Sequence, residues 1–327
     1  MVQKSRQPID DATTLSVVIP AHNCERWLPT TLKSVHDQKR PADEIVVVDD
    51  GSQDASAEIA RSFGVDRLVS TGGIGAAGAR NVGVEAASGT WLAFLDADDI
   101  WYPERLARTA STVAGSDDDA VLFHFDHVSP DGDAITKRSL PRAEFLEGDE
   151  PTVRLGLSSL DYLRWYARSH IFPGMTSCVV RRAAWLELGG MDPTQTRRHD
   201  LEFFLRFLAS GRTWSYDPIA TSAYRGGQPN NLSANLPDRE RFHQQAVEKN
   251  VGAFRLPEEQ ALMEQAAIHV ARAYLGVAVT HGTADQRRDA VSKLKTRATG
   301  LERWLLPLVA TWTPGLLRRV LLVKRAR

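Results

Sequence analysis

The strongest constraint on this chain is the alternation of short apolar runs with helix-length segments between residues 15 and 127. Residues 15–20, 44–49, 66–70 and 91–95 are strand-length runs, mostly apolar and partly β-branched. The first stops at Pro20, the second at Asp50-Gly51-Ser52. The intervening segments carry apolar residues at helical spacing: Trp27/Leu28, Thr31/Leu32 and Val35 in the first, Ile59 and Phe63 in the second. Ser52 or Asp54 is placed to cap the second helix, and a third is expected from about Ala79 to Ala87. Another strand is expected over 119–128. Strands separated by helices at this spacing need crossover connections, which predicts an α/β fold with a largely parallel sheet.

Open α/β sheets bind ligands beyond the carboxyl ends of their strands, and polar residues collect there in this sequence. Asp96, Asp98 and Asp99 follow the run 91–95 directly, and Pro103 then opens a helix with Leu106 and Ala110 on one face. Carboxylates so crowded stay ionised only if a cation or strong donors share the site. A hard divalent cation that also holds phosphate oxygens is the natural occupant. The competing reading is a solvated acidic turn capping the next helix; the buried strand in front favours the functional one. Three further loops reach the same edge: Ala21 to Glu25, Asp49 to Ser52, and the glycine-rich stretch 72–83 with Arg80. Glycines there let backbone N–H groups approach an anion, and Arg80 can pair with phosphate or stack on a base. Each loop alone is ordinary turn chemistry; their convergence is what points to a nucleotide. The pattern is neither a Walker loop nor a dinucleotide fingerprint, since there is no Gly-Lys-Ser/Thr and the glycines follow the third strand.

The segments Val17-Val18-Ile19-Pro20-Ala21-His22-Asn23, Ile45 to Ser52, Ala79-Arg80-Asn81-Val82-Gly83 and Leu95-Asp96-Ala97-Asp98-Asp99 occur in the order and spacing of family 2 glycosyltransferases, which the chain resembles. The resemblance implies a GT-A type fold, an α/β sheet flanked by helices, with an α-helical C-terminal extension. It implies a catalytic domain over 12–236 (nucleotide-sugar half 12–128, acceptor half 129–236) and a helical extension over 237–327. By the same resemblance Pro20, Ala21, His22, Asn23, Glu25, Asp49, Asp50, Gly51, Ser52, Gly75, Arg80, Asp96 and Ala97 bind the nucleotide sugar. Asp98 ligates Mg²⁺ or Mn²⁺. His22 stands where the family often has an aromatic residue.

In the second half, 129–151 reads as a charged surface excursion, and a helix with Leu160, Leu163 and Tyr166/Ala167 inward follows. The stretch 172–192 resembles the family's acceptor side, ending in Gly189-Gly190-Met191-Asp192, where Met191 replaces an aromatic residue. Most of it reads as scaffold, and a structural role for Thr176 and Ser177 is preferred over contact with the sugar. Leu201, Phe204, Leu205 and Leu208 share a helical face, which puts Asp200 in the first turn of that helix. On its own this is a helix start decorated with acids for dipole and capping reasons. The resemblance instead implies Asp200 as general base with Glu202 as a supporting carboxylate; His199 replaces an acidic residue. Residues 224–233 resemble a Tyr-Arg-x-His closing loop with Gly227 at the histidine position.

The formal net charge of −1 argues against binding nucleic acid by bulk charge. Two cysteines make no framework, the N-terminus is polar with no signal peptide, and no apolar run approaches a membrane span, so a cytoplasmic chain is expected. The tail 316–327 mixes leucines with basic residues; peripheral contact with an anionic membrane and packing on the preceding helices are equal readings. The implied partners are a nucleotide-diphosphate sugar donor and a glycan or lipid-linked acceptor hydroxyl, with inversion at the sugar. The alternatives are a sugar-phosphate nucleotidyltransferase, which would need a Gly-rich pyrophosphorylase loop after the first strand, and a non-catalytic nucleotide-sugar-binding protein.

Overall fold

A computed structural model describes residues 13–114, 116–132, 134–137, 153–169, 174–226 and 235–297. The expected segments 138–151, 227–233 and 316–327 lie outside them. The chain divides into two compact units, the first built from residues 1–159, 173–194 and 211–228, the second from 160–172, 195–210 and 229–327.

The first unit is organised on one sheet. Its strands are β1 (Leu15–Ala21), β2 (Glu44–Asp49), β3 (Arg67–Ser70), β4 (Trp91–Phe94), β5 (Ile100–Trp101), β6 (Ala120–Val128), β7 (Ile135–Lys137), β8 (Arg154–Leu157), β9 (Cys178–Arg181) and β10 (Trp214–Arg225). The order is β3-β2-β1-β4-β9-β6-β10-β5, with β7 added to β6 and β8 to β10. As the alternation predicts, β3, β2, β1 and β4 are all parallel. The longest pairing, β6 with β10, is parallel too. Strand β9 enters antiparallel between β4 and β6, a reversal with no counterpart in the sequence pattern.

Helices α1 (Leu28–His36), α2 (Ser56–Ser62) and α4 (Arg105–Ala114) cover one face. They bury Leu28, Leu32, Val35, Ala60, Leu106 and Val113 against Val17, Ile19, Val47, Ala93 and Phe123. Strand side chains alternate in direction, so Val18 and Val48 point to the opposite face, where α3 (Gly75–Ala86) lies. Gly83 is what lets α3 come down: a Cβ there would sit 2.5 Å from Val18 Cγ1 and 3.2 Å from Val48 Cγ2. At the far end of the unit Gly190 holds a positive φ of 69°, and a Cβ on it would strike the Asn81 side chain. Asn81 hydrogen-bonds both ways with Met191, donating Nδ2–H to its carbonyl (2.8 Å) and accepting its N–H (2.9 Å). The Asn81 and Gly-Gly-Met segments of the sequence are therefore one structural joint.

Helix α3 begins at Gly75, four residues before the expected Ala79. Its start is set by Asp50 of the neighbouring loop, whose carboxylate accepts the N–H groups of Ile74 and Gly75, both at 2.7 Å. A glycine-rich start is weak by propensity; a cap supplied from another strand compensates for it.

The second unit is helical: α5 (Ser159–Ser169), nearly all of it in this unit, with α7 (His199–Ala209), α8 (Leu236–Asn250), α9 (Pro257–His281) and α10 (Ala284–Arg297). The first unit keeps the short α6 (Arg182–Glu187). Tyr162 of α5 meets Phe204 of α7 edge-on at 5.0 Å, and Phe204 stacks on Phe207 at 5.3 Å. The Tyr166 hydroxyl lies 2.6 Å from His243 Nε2. Tyr274, Leu275, Ala278 and Val279 of α9 pack on Ala290, Val291 and Leu294 of α10. Among the described residues no helix is long and apolar enough to cross a membrane.

Glu44, at the head of β2, ties three segments together. Its carboxylate accepts from the Ser16 hydroxyl (2.6 Å), the Ser88 N–H (2.7 Å) and Arg67 Nε (2.9 Å). Burial pushes this carboxyl up, but those donors outweigh it and hold the pKa at about 2, below an ordinary 4.5. A depressed pKa stabilises the fold above about pH 4.5, and that contribution disappears as pH falls towards 2. Glu44→Gln is therefore expected to cost about 2–3 kcal/mol at pH 7. The gap from wild type should close between pH 4.5 and 2, measured by urea denaturation across that range.

Candidate active site

Four loops at the carboxyl ends of β1, β2, β3 and β4 carry the residues singled out in the sequence, and the structure brings them together by cross-loop hydrogen bonds. The β1 and β2 loops are laced first. The Asp50 N–H donates to the Ala21 carbonyl (2.8 Å). His22 Nδ1 lies 2.7 Å from the Asp50 carbonyl and its Nε2 lies 3.0 Å from Asn23 Nδ2. Only one tautomer satisfies both contacts: Nδ1–H donates to the carbonyl and Nε2 accepts from the amide. Asn23 adopts a left-handed conformation (φ 48°). Its N–H donates to Ser52 Oγ (3.0 Å), and its Oδ1 accepts the Gln53 N–H (2.8 Å). Glu25 Oε2 accepts the Ala55 N–H (3.0 Å), and the Glu25 N–H donates to Asp54 Oδ2 (3.0 Å). Asp49, at the end of β2, accepts the Ser52 N–H at 3.3 Å. His22, Asn23, Glu25 and Ser52 thus hold the loops to each other. His22 and Asn23 remain exposed, and Pro20 and Gly51 are half-buried.

The glycine-rich loop behaves differently from the expectation. Its N–H groups do converge on an anion, but the anion is the protein's own Asp50. Oδ1 accepts from the Thr71 hydroxyl (2.6 Å) and the Ile74 N–H, and Oδ2 from the Gly75 N–H. Burial raises the Asp50 pKa, and these donors more than reverse the effect, leaving the carboxyl below the usual range. An internal carboxylate therefore stands where the sequence suggested a phosphate.

The acid turn after β4 is the centre of the site. Asp96 forms an ion pair with Arg80 of α3, a guanidinium buried beneath the loop that also donates to the Ala76 carbonyl (3.2 Å). Ala97 is buried, while Asp96 and Asp98 are half-buried. Asp99 is fully buried. It accepts from the Thr176 hydroxyl (2.6 Å) through Oδ2 and from the Arg225 N–H (3.0 Å) through Oδ1. Burial, reinforced by the neighbouring charges of Asp98 and Asp96, pushes the Asp99 carboxyl well above the usual carboxylate range. The backbone of the turn is saturated as well. Thr31 Oγ1 reaches both the Ala97 carbonyl (2.9 Å) and the Asp99 carbonyl (2.8 Å), and Arg225 Nη1 donates to the Asp98 carbonyl (3.1 Å). Arg225 lies over the Trp27 ring at 5.1 Å. Thr31 and Arg225 were not assigned to the site from the sequence, and Asp99 was placed there only as a member of the acid triplet. Thr31 is a hydroxyl inside an apolar helical stripe, and Arg225 stands beside Tyr224. Thr176, for which a structural role was expected, is buried with its hydroxyl between Asp99 and the Asp96 N–H.

Asp200 and Glu202 lie in the second unit, in the first turn of α7. Arg198 just before it holds a left-handed backbone (φ 55°). Asp200 is half-buried, and its Oδ1 accepts the Leu201 N–H at 2.8 Å. Glu202 is buried and clamped by Arg206 one turn on, with Nε at 2.8 Å and Nη2 at 3.0 Å. A forked pair of this kind fixes a carboxylate in direction.

The profile of glycosyl transferase family 2 matches residues 16–185, about half of the chain, and the chain belongs to that family. It is similar to the amylovoran biosynthesis glycosyltransferase AmsB of Erwinia amylovora, 36% identical over 107 residues, which cover 31% of this chain and 36% of AmsB. The chain spans less than two thirds of the length of the curated relatives it matches first. Its fold is that of S. aureus TarS 1-349, solved in complex with UDP-GlcNAc. That likeness has a TM-score of 0.68 and 19% identity, over 90% of this chain and 86% of TarS 1-349. The mannosyltransferase PcManGT of Pyrobaculum calidifontis, in complex with GDP-Man and Mn²⁺, aligns with a TM-score of 0.58 and 18% identity, over 94% and 84% of the two chains. This GT-A type sheet with its helical C-terminal region agrees with the sequence expectation.

Removing the internal anion tests the reading of the glycine loop. Asp50→Ala leaves the Ile74 and Gly75 N–H groups and the Thr71 hydroxyl without their acceptor, which should destabilise the protein by about 2–4 kcal/mol. Urea denaturation measures it, and a change below about 0.5 kcal/mol would show that the loop holds its shape without Asp50.

Proposed function

We propose that this chain is an inverting glycosyltransferase that moves a sugar from a nucleotide-diphosphate sugar to an acceptor hydroxyl. The observation that carries the reading is the acid turn of Asp96 and Asp98, standing beyond the carboxyl end of β4 among the laced loops of β1 to β3. Family membership supports it. So does the chemistry of the two structural relatives, both solved with a nucleoside-diphosphate sugar.

The donor set suits Mg²⁺ or Mn²⁺. Oxygen ligands are what a hard cation takes, and such ions commonly use one or two carboxylates with substrate phosphates and water completing the shell. No group of three or more His, Cys, Asp or Glu that could hold a metal occurs among the described residues. The resemblance of Leu95-Asp96-Ala97-Asp98-Asp99 to the family motif assigns the ion to Asp98, which is half-buried beside the Asp96–Arg80 pair and the buried Asp99. When bound, the ion offsets charge building on the departing diphosphate.

The other roles belong to the chain. Asp50 and the β1 and β2 loops form the nucleotide edge, with Pro20, Ala21, Gly51 and Ala97 supplying backbone and His22 and Asn23 exposed surface. Arg80 holds Asp96 towards the ribose and diphosphate. Asp200 takes the proton of the acceptor hydroxyl as its oxygen attacks the anomeric carbon from the face opposite the leaving group. Glu202, paired with Arg206, anchors the first turn from which Asp200 projects. The acceptor is a glycan or lipid-linked hydroxyl in cell-surface polysaccharide synthesis, a class suggested by AmsB. The two buried cysteines, Cys24 and Cys178, suit a reducing, cytoplasmic setting.

A donor screen following release of nucleoside diphosphate, with and without Mn²⁺, tests the class. Release from no nucleotide sugar would reject it. Asp200→Asn then separates base from cap. Loss of general-base assistance should slow single-turnover transfer by roughly 10²–10⁴-fold with donor affinity little changed. Asn is also a good cap, so a residue that only caps its helix would leave the rate near wild type.

A further inference from the structure

We propose that Thr176 and Arg225 are positioning residues for the metal-binding carboxylate, acting through the buried side chain of Asp99. The inference rests on the reading of Asp98 as the carboxylate that takes the ion.

The geometry separates the three acids by environment. Asp98 is half-buried, whereas the Asp99 carboxylate is fully buried and spends both oxygens on protein donors. Those donors come from two distant parts of the sheet. Thr176 stands in the 3₁₀ turn Met175–Ser177 ahead of β9, and Arg225 is the last residue of β10. The Thr176 hydroxyl works in both directions, donating to Asp99 Oδ2 (2.6 Å) and accepting the Asp96 N–H (3.2 Å). Its own carbonyl is held by Trp101 Nε1 at 3.3 Å. Arg225 likewise makes two contacts, its N–H to Asp99 Oδ1 and its Nη1 to the Asp98 carbonyl. The residues on both sides of Asp98 are therefore pinned by side chains, and its own carbonyl is pinned as well. The backbone that carries the Asp98 side chain is thereby held in place. A carboxylate held ready meets a cation without first losing backbone freedom, and outer partners of this kind typically tune metal affinity by 10–100-fold.

A scaffold role alone would show in stability only, so the test reads metal affinity separately. Mn²⁺ is titrated by electron paramagnetic resonance in the presence of UDP and, in a parallel series, GDP. The proteins are wild type, Asp98→Asn, Thr176→Val, Thr176→Ser and Arg225→Met, each with its thermal midpoint recorded. Thr176→Val keeps the shape and removes the hydroxyl, and should weaken Mn²⁺ binding at least about 10-fold. Thr176→Ser restores the hydroxyl and should recover affinity to within about 3-fold of wild type. Arg225→Met keeps the N–H to Asp99 but loses the donor to the Asp98 carbonyl, and should weaken binding about 3–10-fold. It remains informative if Thr176→Val does not fold. Lowered thermal midpoints with unchanged Mn²⁺ affinity in the folded variants would overturn the proposal, as would a folded Thr176→Ser that fails to recover. If Asp98→Asn itself binds Mn²⁺ as wild type does, the assignment of the metal carboxylate is what fails.

Discussion

A carboxylate without water around it has to be satisfied by protein groups, and the shape of the acid turn follows from how Asp99 meets that demand. Its partners, the Thr176 hydroxyl and the Arg225 N–H, bring the approach to β9 and the end of β10 against a turn that leaves β4. Three strands that are not consecutive in sequence are joined at one buried side chain. Leaving such a group unpaired would cost several kcal/mol, so the turn has little freedom to relax away from its partners. The half-buried positions of Asp96 and Asp98 are consequences of where Asp99 must go.

The same economy recurs at Asp50. A loop of glycines and a helix N-terminus form a natural cradle for an anion, and here a side chain from the next strand fills it. Asp50 thereby holds the loop, and α3 starts early enough to place Arg80 beside Asp96. The β1 and β2 loops are ordered in the same way through His22, Asn23 and Glu25. Loops held by internal contacts have less conformational entropy left to lose on binding a ligand.

In the second unit the carboxylates of α7 divide their labour. Glu202 is buried and forked onto Arg206, which makes it a fixture of the helix. Asp200 keeps one oxygen on the Leu201 N–H and is the more open of the two. Two acids two residues apart point in different directions on a helix, and only one of them can share the apolar side that anchors α7 among Tyr162, Phe204 and Phe207.

How much of this was legible beforehand depends on the range of each interaction. Strand and helix order, the parallel block β3-β2-β1-β4 and the grouping of the loops at one edge follow from local periodicity and turn chemistry, which act over a few residues and can be read directly. The family could be recognised for the same reason, since its motifs sit at the ends of those strands. What needed the tertiary structure were contacts between residues far apart in the chain. Thr176 lies 77 positions from Asp99 and Arg225 lies 126. The donors on Asp50 lie 21 to 25 positions away, and the antiparallel entry of β9 depends on its neighbours. A sequence shows that Asp50 can accept and that glycine N–H groups can donate, but only the folded backbone decides that they find each other before they find a phosphate. In the same way, three adjacent acids look alike on the page. Burial, which depends on the whole sheet, made one of them a clamp and left Asp96 and Asp98 half-buried.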